Sequence, residues 1–278
     1  MVRWSVGGGG VLGPAPFLIA GVVNITPDSF YDGGRHYVPQ AAVYHGLELL
    51  SQGAHILDLG GESTRPFSQR VDADTEMDRV RPVLQKILEA HPEANISVDT
   101  YKARVAAQCL KAGALIINDI SACRFDPELL DVLVQYKPGY VLMHTLDRPE
   151  NMQTDPRYRD VTREILSFFE THLTRLVQAG IPESRIVLDP GIGFGKTLEH
   201  NLEIMRNMEC FHVLARPLFV GLSYKSLWSG LLDVELKDRG LPSQVGTALM
   251  AAKQVGIHRV HDVADAGNTL KIVENICS

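Results

Sequence analysis

Short runs of Val, Ile and Leu recur along the chain and alternate with longer segments in which apolar residues return every three or four positions. The short runs lack strict alternation between apolar and polar residues, which is typical of strands buried on both faces. They predict eight strands, near Phe17–Asn24, His55–Leu59, Asn95–Asp99, Leu115–Asn118, Tyr140–Met143, Arg185–Asp189, Pro217–Leu222 and Ile257–Val260.

The intervening segments have the period of amphipathic helices. In the first of them, Val43, Leu47 and Leu50 fall on one face, and Gly53 follows as a residue that can end a helix. The pattern predicts helices at Gln40–Gln52, Thr75–Ala90, Lys102–Lys111, Asp126–Gln135, Tyr158–Ala179, Leu198–Met208, Pro242–Gln254 and Thr269–Ile276.

Strands and helices that alternate eight times predict an α/β fold, a single (β/α)8 TIM-type barrel with a short N-terminal extension. A doubly wound open sheet is the alternative. The length of 278 residues suits one such barrel. We assign residues 17–278 to the barrel domain and residues 1–16 to the extension, as an irregular cap or a hairpin on the lower mouth of the barrel.

Composition narrows the function classes. The net charge of −6 argues against non-specific nucleic-acid binding, and the chain has no basic stripe for a membrane surface. It has no apolar stretch of transmembrane length, and its N-terminus lacks the pattern of a signal peptide. Four cysteines without CxxC or zinc-site spacing predict reduced thiols in a cytoplasmic protein.

Polar residues stand directly after each predicted strand. In a barrel the carboxyl ends of the strands carry the catalytic groups. Any one such residue is explained by an ordinary turn, but a buried carboxylate costs several kcal/mol unless it is paired or used. The repetition of carboxylates predicts a ligand or internal partners for them. The strand-end residues are Asn24, Asp58, Asp99, Asn118, Met143, His144, Asp189, Ser223–Ser226 and Arg259–Asp262.

The glycine-rich stretch Gly191–Lys196 has neither the spacing of a P-loop nor that of a dinucleotide-binding loop. We interpret its glycines as positions where the backbone passes close to a flat ligand or turns sharply into the next helix.

Taken in order, these strand-end segments resemble the dihydropteroate synthases of the pterin-binding superfamily. The resemblance implies a (β/α)8 barrel, usually a homodimer. It also implies a Mg²⁺-dependent condensation of 6-hydroxymethyl-7,8-dihydropterin pyrophosphate with p-aminobenzoate, giving 7,8-dihydropteroate and pyrophosphate. The matching segments are Asn24–Phe30, Gly60–Pro66, Val98–Thr100, Ile117–Ile120, Asp189–Lys196, Ser223–Ser226 and Arg259–Val263.

Carried over residue by residue, the resemblance implies three subsites. Catalytic roles fall on Lys225, Asp32 and Arg259, and Asn24 is the implied position for Mg²⁺. The p-aminobenzoate subsite takes Phe30, Pro66 and Ser226. The diphosphate subsite takes Asn24, Thr64, Arg65, Arg259 and His261, and the pterin subsite takes Asp99, Asn118, Met143, Asp189, Phe194, Gly221, Lys225 and Arg259.

The residue types suit this chemistry. Carboxylates and an amide match the donors and acceptors of an amino-pyrimidine edge, whereas Met143, Phe194 and the flat face of Arg259 would sandwich the ring. Arg259 and His261 would donate charge-assisted hydrogen bonds to the diphosphate. We expect a dissociative reaction in which pyrophosphate leaves before the aniline nitrogen attacks, so that no Ser-His-Asp triad is required.

The chain departs from the family pattern at four places. Phe67 stands where a glycine often follows the Arg-Pro pair, and Tyr224 replaces an arginine. Ala122-Cys123-Arg124 replaces a glycine-containing turn, and Thr145 replaces a methionine. We expect these departures to affect the binding of p-aminobenzoate and to leave the residues of the central chemistry in place.

Two rival functions and several bystander roles stay open on the sequence. A pterin-binding methyltransferase that acts on a corrinoid protein shares the Asp–Asn–Asp pattern, and a non-catalytic pterin-binding barrel is the other rival. Lys225 could be a solvated lysine and His261 a core histidine. We assign His144 a structural role, Asp119 the capping of a turn, and Glu62 the holding of its own loop.

Overall fold

The computed structural model describes residues 1–26 and 38–277. Its strands are β1 (Val2–Ser5), β2 (Val11–Ala15), β3 (Leu18–Asn24), β4 (Ile56–Gly60), β5 (Ile96–Asp99), β6 (Ile116–Asp119), β7 (Gly139–Met143), β8 (Ile186–Asp189), β9 (Phe219–Gly221) and β10 (Ile257–Val260). Its helices are α1 (Val38–Ser51), α2 (Ala73–Ala90), α3 (Ala103–Lys111), α4 (Leu129–Tyr136), α5 (Val161–Gln178), α6 (Leu198–Arg206), α7 (Leu227–Leu232), α8 (Gly240–Ala252) and α9 (Val263–Cys277).

Strands β3 to β10 form a parallel barrel. They pair in the order β8-β7-β6-β5-β4-β3-β10-β9. The first and last strands of this order, β8 and β9, meet at a parallel bridge between Leu188 and Leu218. There the Leu188 N–H donates to the Pro217 carbonyl at 3.0 Å. The predicted (β/α)8 barrel is therefore confirmed, and the open-sheet alternative is wrong.

The predicted elements agree with the structure to within a few residues, with two exceptions. The short helix α7 was not predicted, because six residues give too little periodicity to recognise. The last helix begins at Val263 rather than at Thr269, since Asp265, Gly267 and Asn268 in its first turns are weak helix formers.

The N-terminal residues form an antiparallel hairpin of β1 and β2 rather than an irregular cap. The Trp4 indole is fully buried, and its N–H donates to the Arg185 carbonyl at 2.8 Å. The hairpin packs on inward-facing residues at the amino ends of the barrel strands, among them Leu18, Ile116 and Ile257. The hairpin therefore seals the lower mouth and leaves the carboxyl ends as the open face of the barrel.

A second and larger apolar cluster lies between the barrel and its surrounding helices. Within the described part of the chain, no helix is long and apolar enough to cross a membrane.

Candidate active site

Strand register aligns the polar strand ends in one row. Asn24 pairs with Gly60, Gly60 with Asp99, and Asp99 with Asn118. A Cβ placed on Gly60 would lie 3.7 Å from the Asp99 Cβ and 3.8 Å from the Asn24 Oδ1, so both side chains border the space above this glycine. The absence of a side chain at Gly60 leaves the centre of the row open.

The floor of the site is a hydrogen-bonded network around Arg259. The Arg259 Nε donates to the Asp58 Oδ2 at 2.6 Å, and the Arg259 Nη2 donates to the Asp99 Oδ2 at 3.0 Å. The Asn118 Nδ2 donates to the same Asp58 oxygen at 3.0 Å. Gly221 pairs with Arg259 on the neighbouring strand, and a Cβ there would come within 3.6 Å of the Arg259 Cβ. The guanidinium is thus held in place by carboxylates from two strands, β4 and β5.

Three buried oxygens in this network have no hydrogen-bond partner among the described residues. They are the Asp58 Oδ1, the Asp99 Oδ1 and the Asn118 Oδ1, on the adjacent strands β4, β5 and β6. A buried acceptor without a partner costs about 1–3 kcal/mol. Three of them grouped at the carboxyl ends of neighbouring strands can accept hydrogen bonds from a ligand rich in N–H donors.

Two carboxylates share one cation in this network. Burial raises the pKa of Asp99, and the negative charge of Asp58 raises it further, while Arg259 opposes both effects. Burial alone would lower the pKa of Arg259, but the carboxylates of Asp58 and Asp99 outweigh it and raise that pKa. The guanidinium therefore stays charged inside the barrel.

Lys225 and Asp189 stand on the other side of the site. The Asp189 Oδ1 accepts the Gly191 N–H at 2.7 Å, and burial raises the pKa of Asp189 although Lys225 opposes this. The Lys225 ammonium donates to the Ile192 carbonyl and lies 4.4 Å from the centre of the Phe194 ring. Burial lowers the pKa of Lys225 to about 8 despite the attraction of Asp189. The lysine is thus poised to titrate near neutral pH.

Apolar side chains line the space between these two polar sides. Met143 belongs to a small cluster with Tyr101 and Ile120, against which Phe125 and Phe194 pack. Met143 and Phe194 therefore lie in one apolar cluster, and this cluster offers an apolar surface for a ring.

The glycines after β8 allow a sharp turn next to this surface. Gly191, Gly193 and Gly195 all have positive φ, and a Cβ on Gly191 would lie 1.9 Å from the His144 carbonyl oxygen. The turn encloses the Lys196 ammonium, which lies 3.0 Å from the His144 Nδ1 and donates to the Phe194 carbonyl at 2.9 Å. Burial lowers the pKa of both Lys196 and His144 far below the usual values. The contact with Lys196 gives His144 the structural role that the sequence predicts.

A second group of candidates lies above β10. His261 lies beside Ser223. The Ser223 Oγ is 3.0 Å from the His261 Nδ1, and it accepts a hydrogen bond from the His261 backbone N–H at 3.1 Å. Burial lowers the pKa of His261, and together with the charges of Arg259 and Arg65 it brings that pKa to about 4. The ring is therefore neutral at pH 7 in this structure, so the expected charge assistance from His261 is not present before an anion binds.

The β4–α2 loop, residues 61–72, carries Thr64, Arg65 and Pro66. Arg65 is exposed but close enough for its charge to act on His261, while Thr64 and Pro66 are half-buried. The loop turns where the Ser68 N–H donates to the Arg65 carbonyl at 3.1 Å. Ser226 is exposed at the start of α7, directly after Lys225.

Three of the four departures from the family pattern have the left-handed backbone conformation. Phe67 has φ of 63°, Ala122 and Cys123 have φ of 56°, and Tyr224 has φ of 56°. These values lie in the region that glycine adopts at least cost, so each loop keeps a turn while carrying a side chain. The Phe67 N–H donates to the Pro149 carbonyl at 2.9 Å and so ties this loop to the one after β7.

Two of the predicted site residues, Phe30 and Asp32, lie outside the described residues. Among the residues that are described, no group of three or more His, Cys, Asp or Glu is placed to hold a metal ion. Asn24 offers a single amide oxygen at the end of β3, which suits an ion bound chiefly by phosphate oxygens and water.

Asp58 was not assigned to the site from the sequence, although it is the residue that joins Asn118 to Arg259. The position of Asp58 at a strand end is evident from the sequence, but its contacts depend on strand register. The expected turn-capping role of Asp119 is confirmed, because its carboxylate accepts the N–H groups of Ser121 and Cys123 at 2.7 and 2.6 Å.

Comparisons with known proteins agree with this geometry. The family model described as pterin binding enzyme matches residues 20–261. The dihydropteroate synthase of Bacillus subtilis (strain 168) is 40% identical over 257 residues, which are 92% of this chain and 87% of that protein. The dihydropteroate synthase of Escherichia coli (strain K12) is 41% identical over 258 residues, which are 92% of this chain and 90% of that protein.

Solved structures give the same result. The Yersinia pestis dihydropteroate synthase with a sulfonamide drug complex has a TM-score of 0.92 at 38% identity, over 99% of this chain and 98% of that one. The Xanthomonas albilineans dihydropteroate synthase in complex with 7,8-dihydropteroate has a TM-score of 0.89 at 33% identity, over the same shares of the two chains. The chain therefore belongs to the pterin-binding enzyme family and, within it, to the dihydropteroate synthases.

Proposed function

We propose that this chain condenses 6-hydroxymethyl-7,8-dihydropterin pyrophosphate with p-aminobenzoate, releasing pyrophosphate and 7,8-dihydropteroate. The observation that carries the proposal is the set of three buried, unpartnered oxygens on Asp58, Asp99 and Asn118. The amino-pyrimidine edge of a pterin presents adjacent N–H donors that satisfy such acceptors. Phe194 and Met143 supply the apolar surface on which the flat ring would lie.

The anion groups suit the second half of the substrate. His261 and Arg65 act on each other electrostatically near the end of β10, and Lys225 extends from the pterin side. Because the His261 ring is neutral when the site holds no anion, a bound diphosphate would draw a proton onto it. Thr64 lies in the same loop as Arg65 and offers a hydroxyl donor.

The reaction follows a dissociative course in this proposal. The C–O bond between the pterin methylene and the diphosphate breaks first, and the electron pair leaves with pyrophosphate. Lys225, His261 and Arg65 stabilise the departing charge, which is the main way in which such a site lowers a barrier. The p-aminobenzoate nitrogen then bonds to the methylene and loses a proton to solvent, while Pro66 and Ser226 border its subsite.

Asn24 would be the one protein ligand of a Mg²⁺ that the diphosphate oxygens and water otherwise coordinate, and the ion would disperse the charge of the leaving group. The amide oxygen of Asn24 borders the open space above Gly60, which leads towards Asp99. Asn24 therefore offers a suitable ligand atom for Mg²⁺ and lies on the side of the site where the diphosphate is expected.

The assay that tests the function supplies purified protein with the pterin pyrophosphate, p-aminobenzoate and Mg²⁺, and measures dihydropteroate. Matched reactions contain EDTA or lack p-aminobenzoate. Absence of product from protein that still binds the pterin would refute the synthase and leave a binding module. A parallel assay for methyl transfer from methyltetrahydrofolate to a corrinoid protein addresses the other rival.

We also propose that two copies of the chain associate through α8 and α9. These helices pack side by side, and each exposes an apolar stripe at helical spacing. Leu241 and Ile276 are both 76% exposed, which is a large unpartnered apolar surface for an isolated barrel. A Leu249→Lys substitution, on the same stripe, should convert a dimer to a monomer in light scattering, whereas Tyr44→Lys on α1, also exposed, should not.

A cytoplasmic location remains part of this proposal. Its support is that Cys109, Cys123, Cys210 and Cys277 are all unpaired.

A further inference from the structure

One carboxylate closes the base of the β4–α2 loop. The Glu62 Oε2 accepts the Val71 N–H at 3.0 Å, so the side chain at the start of the loop bonds the backbone nine residues later. Between these two points lie Thr64, Arg65 and Pro66. The Glu62 side chain is buried, although the loop that it closes is largely exposed.

The same carboxylate is fixed by two residues that follow β5, the strand that ends in Asp99. The Tyr101 hydroxyl donates to the Glu62 Oε1 at 2.8 Å, and the Lys102 ammonium donates to the Glu62 Oε2 at 2.5 Å. Tyr101 also packs with Met143 in the apolar surface of the site. A continuous set of contacts therefore runs from the pterin side of the barrel to the base of the loop.

Lys102 has a second carboxylate partner that does not belong to the loop. Its ammonium also bonds the Glu76 Oε2, and Glu76 lies in the first turn of α2. All three charged side chains are buried. Removing either carboxylate alone would leave the lysine paired with the other, and a buried charge that keeps a partner avoids the largest penalty of such a change.

We infer that Glu62 is a positioning residue that sets the β4–α2 loop relative to the pterin pocket, and so fixes where the diphosphate and the second substrate bind. The inference rests on the function proposed above. Glu62 itself faces Tyr101, Lys102 and Val71 and acts on the substrates only through the loop. This contact set explains why a buried glutamate begins a loop whose other polar residues are exposed or half-buried.

The test compares Glu62→Ala with Glu76→Ala. Both remove one carboxylate from the same lysine, but only the first opens the base of the loop. Three quantities are measured for each protein: hydrogen exchange at the Val71 amide without substrates, the KM for p-aminobenzoate, and the affinity for the free pterin. Tyr101→Phe is a milder third variant, because it removes one hydrogen bond to Glu62 and leaves the Glu62 carboxylate in place.

We expect Glu62→Ala to speed exchange at Val71 about tenfold and to raise the KM for p-aminobenzoate by a similar factor, as loss of charged hydrogen bonds implies. Affinity for the free pterin should stay within about twofold of the wild type, because Asp99, Asn118 and Asp189 are unchanged. Tyr101→Phe should give smaller shifts in the same direction. Glu76→Ala should change none of the three quantities.

Equal effects in the Glu62→Ala and Glu76→Ala variants would overturn the inference, and so would a parallel loss of pterin affinity, since both indicate general loosening of the fold. Unchanged exchange at Val71 in Glu62→Ala would overturn it as well. The exchange measurement requires no turnover. A wild-type protein without synthase activity would therefore refute the proposed function, while the loop anchor would still be judged by exchange.

Discussion

Lys225 offers the sharpest test of the proposed mechanism. Its ammonium contacts the Ile192 carbonyl and the Phe194 ring, and it balances the buried charge of Asp189. Lys225→Met keeps the length of the side chain and removes its charge. A hydrogen bond to a charged group contributes about 1.5–3 kcal/mol, so the value of kcat/KM for the pterin pyrophosphate should fall roughly 10- to 150-fold.

The pH dependence of the wild type follows from the same group. Burial lowers the pKa of Lys225 to about 8, and the proposed role requires the protonated form. The value of kcat/KM reports the free enzyme, so it should decline above about pH 8, by roughly tenfold for each further pH unit. Below that pH the lysine is charged and the profile should be flat as far as this group is concerned.

Lys225→Arg separates this limb from other titrations. An arginine stays protonated beyond pH 10, so the variant should lose the alkaline decline even if its activity is lower at every pH. Steady-state rates between about pH 6 and 10, with thermal unfolding to verify the fold, are sufficient for the comparison. An alkaline decline that persists in Lys225→Arg would refute the assignment and direct attention to Asp99, whose pKa burial also raises.

Three further substitutions test the fold and the floor of the site. Trp4→Ala should cost about 3–5 kcal/mol in urea unfolding, because the indole is fully buried under the barrel; a loss below about 1 kcal/mol would mean that the hairpin is dispensable. Gly191→Ala should lower the melting temperature by more than about 5 °C, since its Cβ would lie 1.9 Å from the His144 carbonyl oxygen. Asp58→Asn should weaken pterin binding about tenfold or more in calorimetry, because it removes a carboxylate that holds Arg259, and an unchanged affinity would contradict that role.

The sequence was sufficient to predict the barrel because its signals are local and repeated. The run that became β8 is a continuous stretch of apolar residues bounded by polar ones, and its ends were predicted within one residue. Helix α7 was not predicted, because a six-residue helix has fewer than two turns in which a period can be recognised. The hairpin at the lower mouth was one of two open possibilities, since glycine-rich turns suit both.

The site was predictable as a set of residues but not as a set of contacts. Asn118 and Asp189 were identified by their positions at strand ends. That Asp58 joins Asn118 to Arg259 depends on the register between strands that are 201 residues apart along the chain. The pKa of His261 likewise depends on how deeply its ring is buried beside Arg259. Neither the strand register nor this burial can be derived from the residue types.

The unusual residues in the loops also show which part of the site is defined by backbone shape. Phe67, Ala122 and Tyr224 depart from the family pattern in side chain, yet each has a left-handed backbone. Such a conformation costs a non-glycine residue about 1–2 kcal/mol, which neighbouring contacts must offset. For Tyr224 they are visible: its N–H donates to the Ser243 Oγ at 2.9 Å, and its carbonyl accepts from Arg239 at 3.0 Å.

These contacts place the strain next to the substrate groups. Tyr224 immediately precedes Lys225, and its ring meets the His261 ring edge-to-face at 5.7 Å between centroids. A relaxed backbone at position 224 would rotate the peptide that carries Lys225 and remove the packing against His261. Two of the groups that the mechanism assigns to the leaving group, Lys225 and His261, therefore depend on one strained residue. The replacement of an arginine by Tyr224 thus changes the charge of the loop but keeps its backbone shape.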